Sequence, residues 1–193
     1  MDRDLEHWLR AVLDTPGLTA IRDPERAREM LLDDALRGVP LVERFDGAIV
    51  DVGSGGGSPG IPLATALPAR EVTLLDAERR KCDFLERWAP PNAHVLWGRA
   101  EEQEMEGWGV ATTKALAPPA VAAEWCLPLV RVGGAAILWV GPTADLAAVG
   151  RAAALLGGGQ PEDHDGIVVL AKVRPTPPGF PRRAGVARKR PLA

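Results

Sequence analysis

A chain of 193 residues, 46% of them hydrophobic, can bury one sizeable core and is short for two domains. No apolar run approaches the roughly 18 residues of a membrane span, and Met1-Asp2-Arg3-Asp4 lacks the basic-then-apolar order of a signal peptide. The net charge of −3 hides an asymmetry: residues 172–193 hold seven of the 23 Lys and Arg and none of the 26 Asp and Glu, the pattern of an acidic globule with a segment that can neutralise phosphates.

In chain order, Leu5, Trp8, Leu9, Val12 and Leu13 recur at spacings of three and four, which predicts a helix. A second helical stretch opens after Asp23-Pro24, with Pro24 suited to a first turn. From residue 46 onward short apolar strands alternate with helices: strands over 48–52, 71–75, 94–97, 110–113 and 135–140, helices over 59–67, 78–88, 118–130 and 143–155, and a last β-branched strand over 166–173. Such alternation predicts an α/β fold, a parallel sheet with helices on both faces. The chain divides into a helical extension (1–45), the α/β domain (46–173) and a basic segment (174–193) whose Pro and Gly content predicts an extended, weakly structured arm. Cys82 and Cys126 lie far apart with no CxxC spacing and no partnering histidines, so a disulfide and a zinc site are both unsupported. His7, His94 and His164 form no ligand spacing either. The six tryptophans fall mostly inside helix and strand patterns and read as core.

The stretch Ala48-Ile49-Val50-Asp51-Val52-Gly53-Ser54-Gly55-Gly56-Gly57-Ser58-Pro59-Gly60 is a buried strand, a glycine loop and a helix start, with Pro59 in the helix's first turn. This is a nucleotide-type site at the carboxyl end of the first strand. Two readings compete. Gly55-x-Gly57-x-x-Gly60 satisfies the dinucleotide fingerprint but begins three residues past the strand. Gly53-x-Gly55-x-Gly57 follows the strand directly, after an acid, Asp51, that would repel a pyrophosphate but can hold an ammonium group. S-adenosylmethionine has an ammonium and no phosphate. The second strand ends in Asp76, where a carboxylate can accept from ribose hydroxyls, and the third leads to Ala100 and Glu101, at the rim where an adenine would lie.

These motifs, together with Leu18-Thr19-Ala20-Ile21-Arg22-Asp23-Pro24, the Pro59-Gly60-Ile61-Pro62-Leu63 ending of the loop, Gly98-Arg99-Ala100-Glu101-Glu102, Lys114-Ala115-Leu116-Ala117-Pro118 and the C-terminal Phe180-Pro181-Arg182-Arg183-Ala184-Gly185 with Lys189-Arg190-Pro191-Leu192, resemble the RsmG family, also called glucose-inhibited division protein B. Its members methylate N7 of a guanosine in 16S ribosomal RNA. The resemblance implies a Rossmann-like class I methyltransferase with a mostly parallel seven-stranded sheet, and S-adenosylmethionine as cofactor. It places Gly53, Ser58, Asp76, Ala100 and Glu101 around that cofactor, and we add Asp51, Ser54, Gly55, Gly57 and Lys114 from the loop and strand-end argument. The expected partner is 16S rRNA or a small-subunit particle, and the protein is expected to be a cytoplasmic monomer with no metal. Two departures stand out: family members usually carry an Arg-His pair where this chain has Met30-Leu31, and Arg where it has Lys114.

Lys114 follows the fourth strand, where this class keeps target-facing residues. No Asn-Pro-Pro-Tyr or Asp-Pro-Pro-Tyr run is present and neither cysteine follows that strand, which disfavours adenine-N6 and cytosine-C5 chemistry. Guanine N7 has a lone pair and no proton to lose, so its methylation needs alignment more than a base. Lys114 is the candidate to fix the base through O6 or a phosphate, or else a cap on cofactor or loop carbonyls. Arg182, Arg183, Arg188, Lys189 and Arg190 are the candidate RNA contacts, with Arg182 and Arg183 alternatively packing back on the acidic globule. A small-molecule methyltransferase and a non-catalytic cofactor- or RNA-binding relative remain the alternatives.

Overall fold

The computed structural model describes the backbone of residues 2–193 and the side chains from residue 4 onward; Met1, part of the N-terminal stretch considered above, lies outside the described residues. Helix α1 (Asp2–Asp14) buries Leu5, Trp8, Leu9 and Val12, the face its spacing predicts. Asp23 caps the next helix by accepting from the Arg26 N–H at 2.7 Å, with Pro24 in the first position. That helix runs without a break through α2 (Pro24–Ala27), a π-helical turn (Arg28–Asp33) and α3 (Asp34–Leu36), and α4 (Val39–Val42) follows.

The α/β unit comprises β1 (Ile49–Val52), α5 (Gly60–Ala66), β2 (Val72–Asp76), α6 (Arg79–Trp88), β3 (Ala93–Trp97), β4 (Trp108–Lys114), α7 (Pro119–Cys126), β5 (Val130–Trp139), α8 (Leu146–Leu155), β6 (Glu162–His164) and β7 (Ile167–Ala171). Its seven strands lie in the order β3-β2-β1-β4-β5-β7-β6. The first five pair in parallel, and β7 runs antiparallel to both β5 and β6. Side chains alternate across the sheet. Ile49, Leu74, Val110 and Ile137 pack on the face covered by α1, α5 and α6, whereas Val50, Val52, Leu75, Ala111 and Leu138 pack on the face of α7 and α8. Chain order reverses at β1, between β2 and β4, and opens a crevice at the strands' carboxyl ends.

Three expectations are corrected here. The seventh helix ends at Cys126 instead of residue 130: Pro128 cannot donate the next helical bond, so the chain tightens into a 3-10 turn (Leu127–Leu129) and β5 begins at once. Pro59 stands just ahead of α5, not within its first turn. The segment 174–193 is not an extended arm. It folds back on the domain and forms α9 (Val186–Lys189), with Ala187 buried. Glu124, nearly enclosed at 3% side-chain exposure, explains much of that return: both guanidinium contacts from Arg182 reach its carboxylate at 2.5 Å and raise the Arg182 pKa. Strand β6 was not anticipated. Its three residues are charged or polar and exposed, which suits a sheet edge but shows no apolar period. The hairpin to β7 turns at Asp165-Gly166, both with positive φ (51° and 86°), a pair favoured in tight hairpins.

Candidate functional site

The glycine loop after β1 turns on Gly53, Gly55 and Gly57, with φ of +71°, +56° and +103°, a region open to glycine. A β-carbon on Gly53 would also collide with Leu116 at 2.4 Å. Beneath the loop Asp51 is fully buried. Its carboxylate accepts from the Gly60 N–H at 3.2 Å and the Thr112 hydroxyl at 3.0 Å, and burial pushes its pKa up to about 7. Ser54 Oγ donates to the Asp51 carbonyl, and Thr113 Oγ1 to that of Val52. Asp51 therefore staples the loop to α5 from below and does not face the crevice, contrary to the expectation that it grips a ligand ammonium. Gly57 is likewise off the crevice wall, packed on Ile61 and the Trp8 indole.

The loop's amide hydrogens decide between the two ligand readings. Gly53 and Ser54 both donate to the Leu75 carbonyl, at 2.8 and 3.0 Å, Gly57 donates to that of Ser54, and Ile61 to that of Gly57. Gly55 donates to Asp76 Oδ2 at 2.9 Å. A pyrophosphate needs such amides free at the loop and helix start, and here those of Gly53, Ser54, Gly55, Gly57, Gly60 and Ile61 are engaged. What faces the crevice instead is the Asp76 carboxylate, with its second oxygen taking the Glu78 N–H at 2.8 Å. Each carboxylate oxygen keeps a lone pair for a hydroxyl. The dinucleotide reading fails on this geometry, and a ligand with ribose hydroxyls and no phosphate fits.

The crevice is a cavity of about 700 Å³, within the range of small-molecule sites. Val52, Gly53, Ser54, Gly55, Ser58, Leu75 and Asp76 form its floor, and Gly98, Arg99, Ala100, Glu101, Leu116 and Trp125 one end. Of the residues singled out from sequence, Gly53, Ser54, Gly55, Ser58, Asp76, Ala100, Glu101 and Lys114 converge on this wall. So does Arg188. Arg183, Lys189 and Arg190 are exposed outside it, while Arg182 is held by Glu124.

Sequence reasoning quoted Thr19, Ile21 and Met30-Leu31 without assigning them to the site, yet they form part of a further wall. Trp8, Val12, Thr19, Ile21, Met30 and Leu31 come from the helical extension, which is pinned to the loop by the Trp8 indole N–H to the Gly56 carbonyl (2.8 Å) and by Ser58 Oγ to the Leu31 carbonyl (2.7 Å). Sequence reasoning missed Asp34, whose carboxylate pairs with Lys114. Burial lowers the Lys114 pKa, and Asp34 works against that. Gly185 adds a further piece of wall, and its N–H donates to Glu101 Oε1 at 3.1 Å.

A parallel sheet closed by one antiparallel strand pair, with a carboxylate-held glycine loop at its switch point, is the architecture of class I S-adenosylmethionine-dependent methyltransferases. The same fold appears in a Thermotoga maritima SAM-dependent O-methyltransferase (TM-score 0.62, 14% identical, covering 88% of this chain and 73% of that one). It appears again in the T. thermophilus 16S rRNA N2 G1207 methyltransferase solved with AdoMet and guanosine (TM-score 0.57, 20% identical, covering 85% and 43%). The chain belongs to the rRNA small subunit methyltransferase G family, whose profile matches residues 4–154. Proteins of that name from Synechococcus elongatus (36% identical, covering 97% of this chain and 87% of the relative) and Pelotomaculum thermopropionicum (38%, 98% and 90%) align along nearly its whole length.

Proposed function

We propose that this chain transfers the methyl group of S-adenosylmethionine to N7 of a guanosine in small-subunit ribosomal RNA, in the cytoplasm. The observation that carries the cofactor assignment is the Asp76 carboxylate beside a loop in which the Gly53, Ser54, Gly55 and Gly57 amides are already engaged. When bound, the cofactor supplies an electrophilic methyl group on a sulfonium centre. Asp76 would accept from its ribose hydroxyls, and Leu75, Ala100 and Leu116 would offer apolar contact to its base. Membership of the family supports rRNA as the substrate.

The chemistry of the wall favours N7. Among the described residues no histidine lines the cavity, and two of its carboxylates, Asp76 and Glu101, already accept from backbone amides. The third, Glu78, is paired with Lys81, so each carboxylate of the wall already has a partner, and N7 has no proton to remove. Lys114 gives one donor to Asp34 and has two left for guanine O6 or a phosphate, where a fixed positive charge aligns the base. Incubating the protein with S-adenosylmethionine and either free 16S rRNA or small-subunit particles, followed by chain scission specific for N7-methylguanosine, tests this. One modified guanosine is expected. Methylation of an exocyclic amine would overturn the N7 assignment, and cofactor binding without transfer to either substrate would favour a non-catalytic relative.

A further inference from the structure

Both segments that lie outside the sheet converge on one loop. Between β4 and α7, Ala115 has φ of +52°, a conformation that a residue with a β-carbon holds only where its surroundings impose it. The neighbour on each side is tied down. Lys114, 11% exposed at its side chain, pairs with Asp34 of the helical extension. Asp34 is itself oriented by Arg37, at 2.8 Å to its other oxygen, and by the Trp139 indole donating to its carbonyl at 2.9 Å. On the far side the Leu116 carbonyl accepts from Arg188 Nη2 at 3.1 Å, and the Arg188 guanidinium lies 5.3 Å from the centre of the Trp125 ring. Leu116 meanwhile fills the space over Gly53. The loop is thus fixed beside the cofactor floor at the two residues that flank Ala115.

We infer that Asp34 and Arg188 are positioning residues, one from each appendage, that clamp residues 114–116 so that Lys114 meets the target base in a single geometry. This rests on the methyltransferase reading above. It gives Arg188 a task at the cavity wall, unlike Arg183, Lys189 and Arg190, which lie outside the lining. Asp34 lies outside the cavity lining, so its loss should reach kcat through Lys114 while leaving the affinity for substrate largely in place; Arg188 stands on the wall itself and acts on the same loop from there.

The test uses the full chain with S-adenosylmethionine and 16S rRNA, both saturating. Asp34→Asn, which keeps shape and removes charge, and Arg188→Ala should each lower kcat by about tenfold to a hundredfold, and in Asp34→Asn the rRNA KM and the cofactor Kd should stay within about threefold of wild type. Asp34→Glu, which restores the charge, should recover most of the rate. Wild-type kcat in both variants would overturn the inference, as would an Asp34→Glu protein as slow as Asp34→Asn, since a purely structural site is not rescued by charge. If wild-type protein transfers no methyl group, it is the functional reading that fails. The clamp is then read by hydrogen exchange: the amides of residues 114–117 should exchange faster in Asp34→Asn and Arg188→Ala, and unchanged rates would overturn it.

Discussion

Asp51 is held among neutral donors, the Gly60 N–H and the Thr112 hydroxyl, so enclosure outweighs its hydrogen bonds and carries its pKa to about 7. A carboxyl raised in the folded state contributes stability that is full below the unfolded value near 4 and is lost as pH rises through about 7. Wild-type protein should therefore lose on the order of 3 kcal/mol relative to Asp51→Asn between about pH 4 and pH 8. Denaturation at a series of pH values measures this, and parallel curves for the two proteins would show that Asp51 does not titrate in that window. Asp76 carries a different burden, since its oxygens both hold the loop and face the crevice. Asp76→Ala should weaken S-adenosylmethionine binding by about 1.5–3 kcal/mol in calorimetry, and a change under twofold would remove Asp76 from the ligand contacts. The two aspartates show what single residues disclose in a sequence. A strand-end acid announces a site, but whether it faces the ligand or supports the loop from behind depends on strand alternation against neighbours such as Thr112, 61 residues away.

Elements that carry their own periodicity or punctuation were legible in the sequence: α1 from its apolar spacing, β1 and the glycine loop from their composition, the second helix from Asp23-Pro24. Those governed by partners were not. Strand β6 exists because β7 pairs with it and because Arg44 reaches Glu162 at 2.8 Å, and α9 because buried Glu124 requires a cation. Removing that cation should show its worth. Arg182→Ala leaves an enclosed carboxylate unpaired and should cost about 3 kcal/mol in chemical denaturation, whereas Arg182→Ala with Glu124→Gln should recover more than half of the loss. Equal stability of the two variants would mean that Glu124 is not the reason the segment returns.

At the scale of the whole molecule, the charge asymmetry survives folding only in part. Lys172 is interior, donating to the Leu127 and Leu156 carbonyls and to Thr176 Oγ1 at 2.8, 3.0 and 2.6 Å, with its pKa lowered to about 8 by burial. Arg182 is paired and Arg188, though exposed, donates to the Leu116 carbonyl at the cavity, which leaves Arg183, Lys189 and Arg190 as the exposed cations near the segment's end that lie outside the cavity lining. If these three meet phosphates, the log of RNA affinity should fall against the log of salt concentration with a slope of roughly −2 to −3, shallower than five contacts would give. Replacing the three with Ala should flatten it, and an unchanged slope would place the RNA contacts elsewhere. The alternation of strands and helices and the loop were foreseeable from chain-local patterns, but the crevice was not, since its walls join residues 27, 48 and 80 positions apart. That same spread along the chain has a consequence in time. About 130 residues separate Val52 on the crevice floor from Gly185 on its wall, and at roughly 5–20 residues per second of synthesis the floor waits on the order of ten seconds for the last wall to be made. A nascent chain therefore carries the loop and Asp76 well before Gly185 and Arg188 exist to complete the cofactor site.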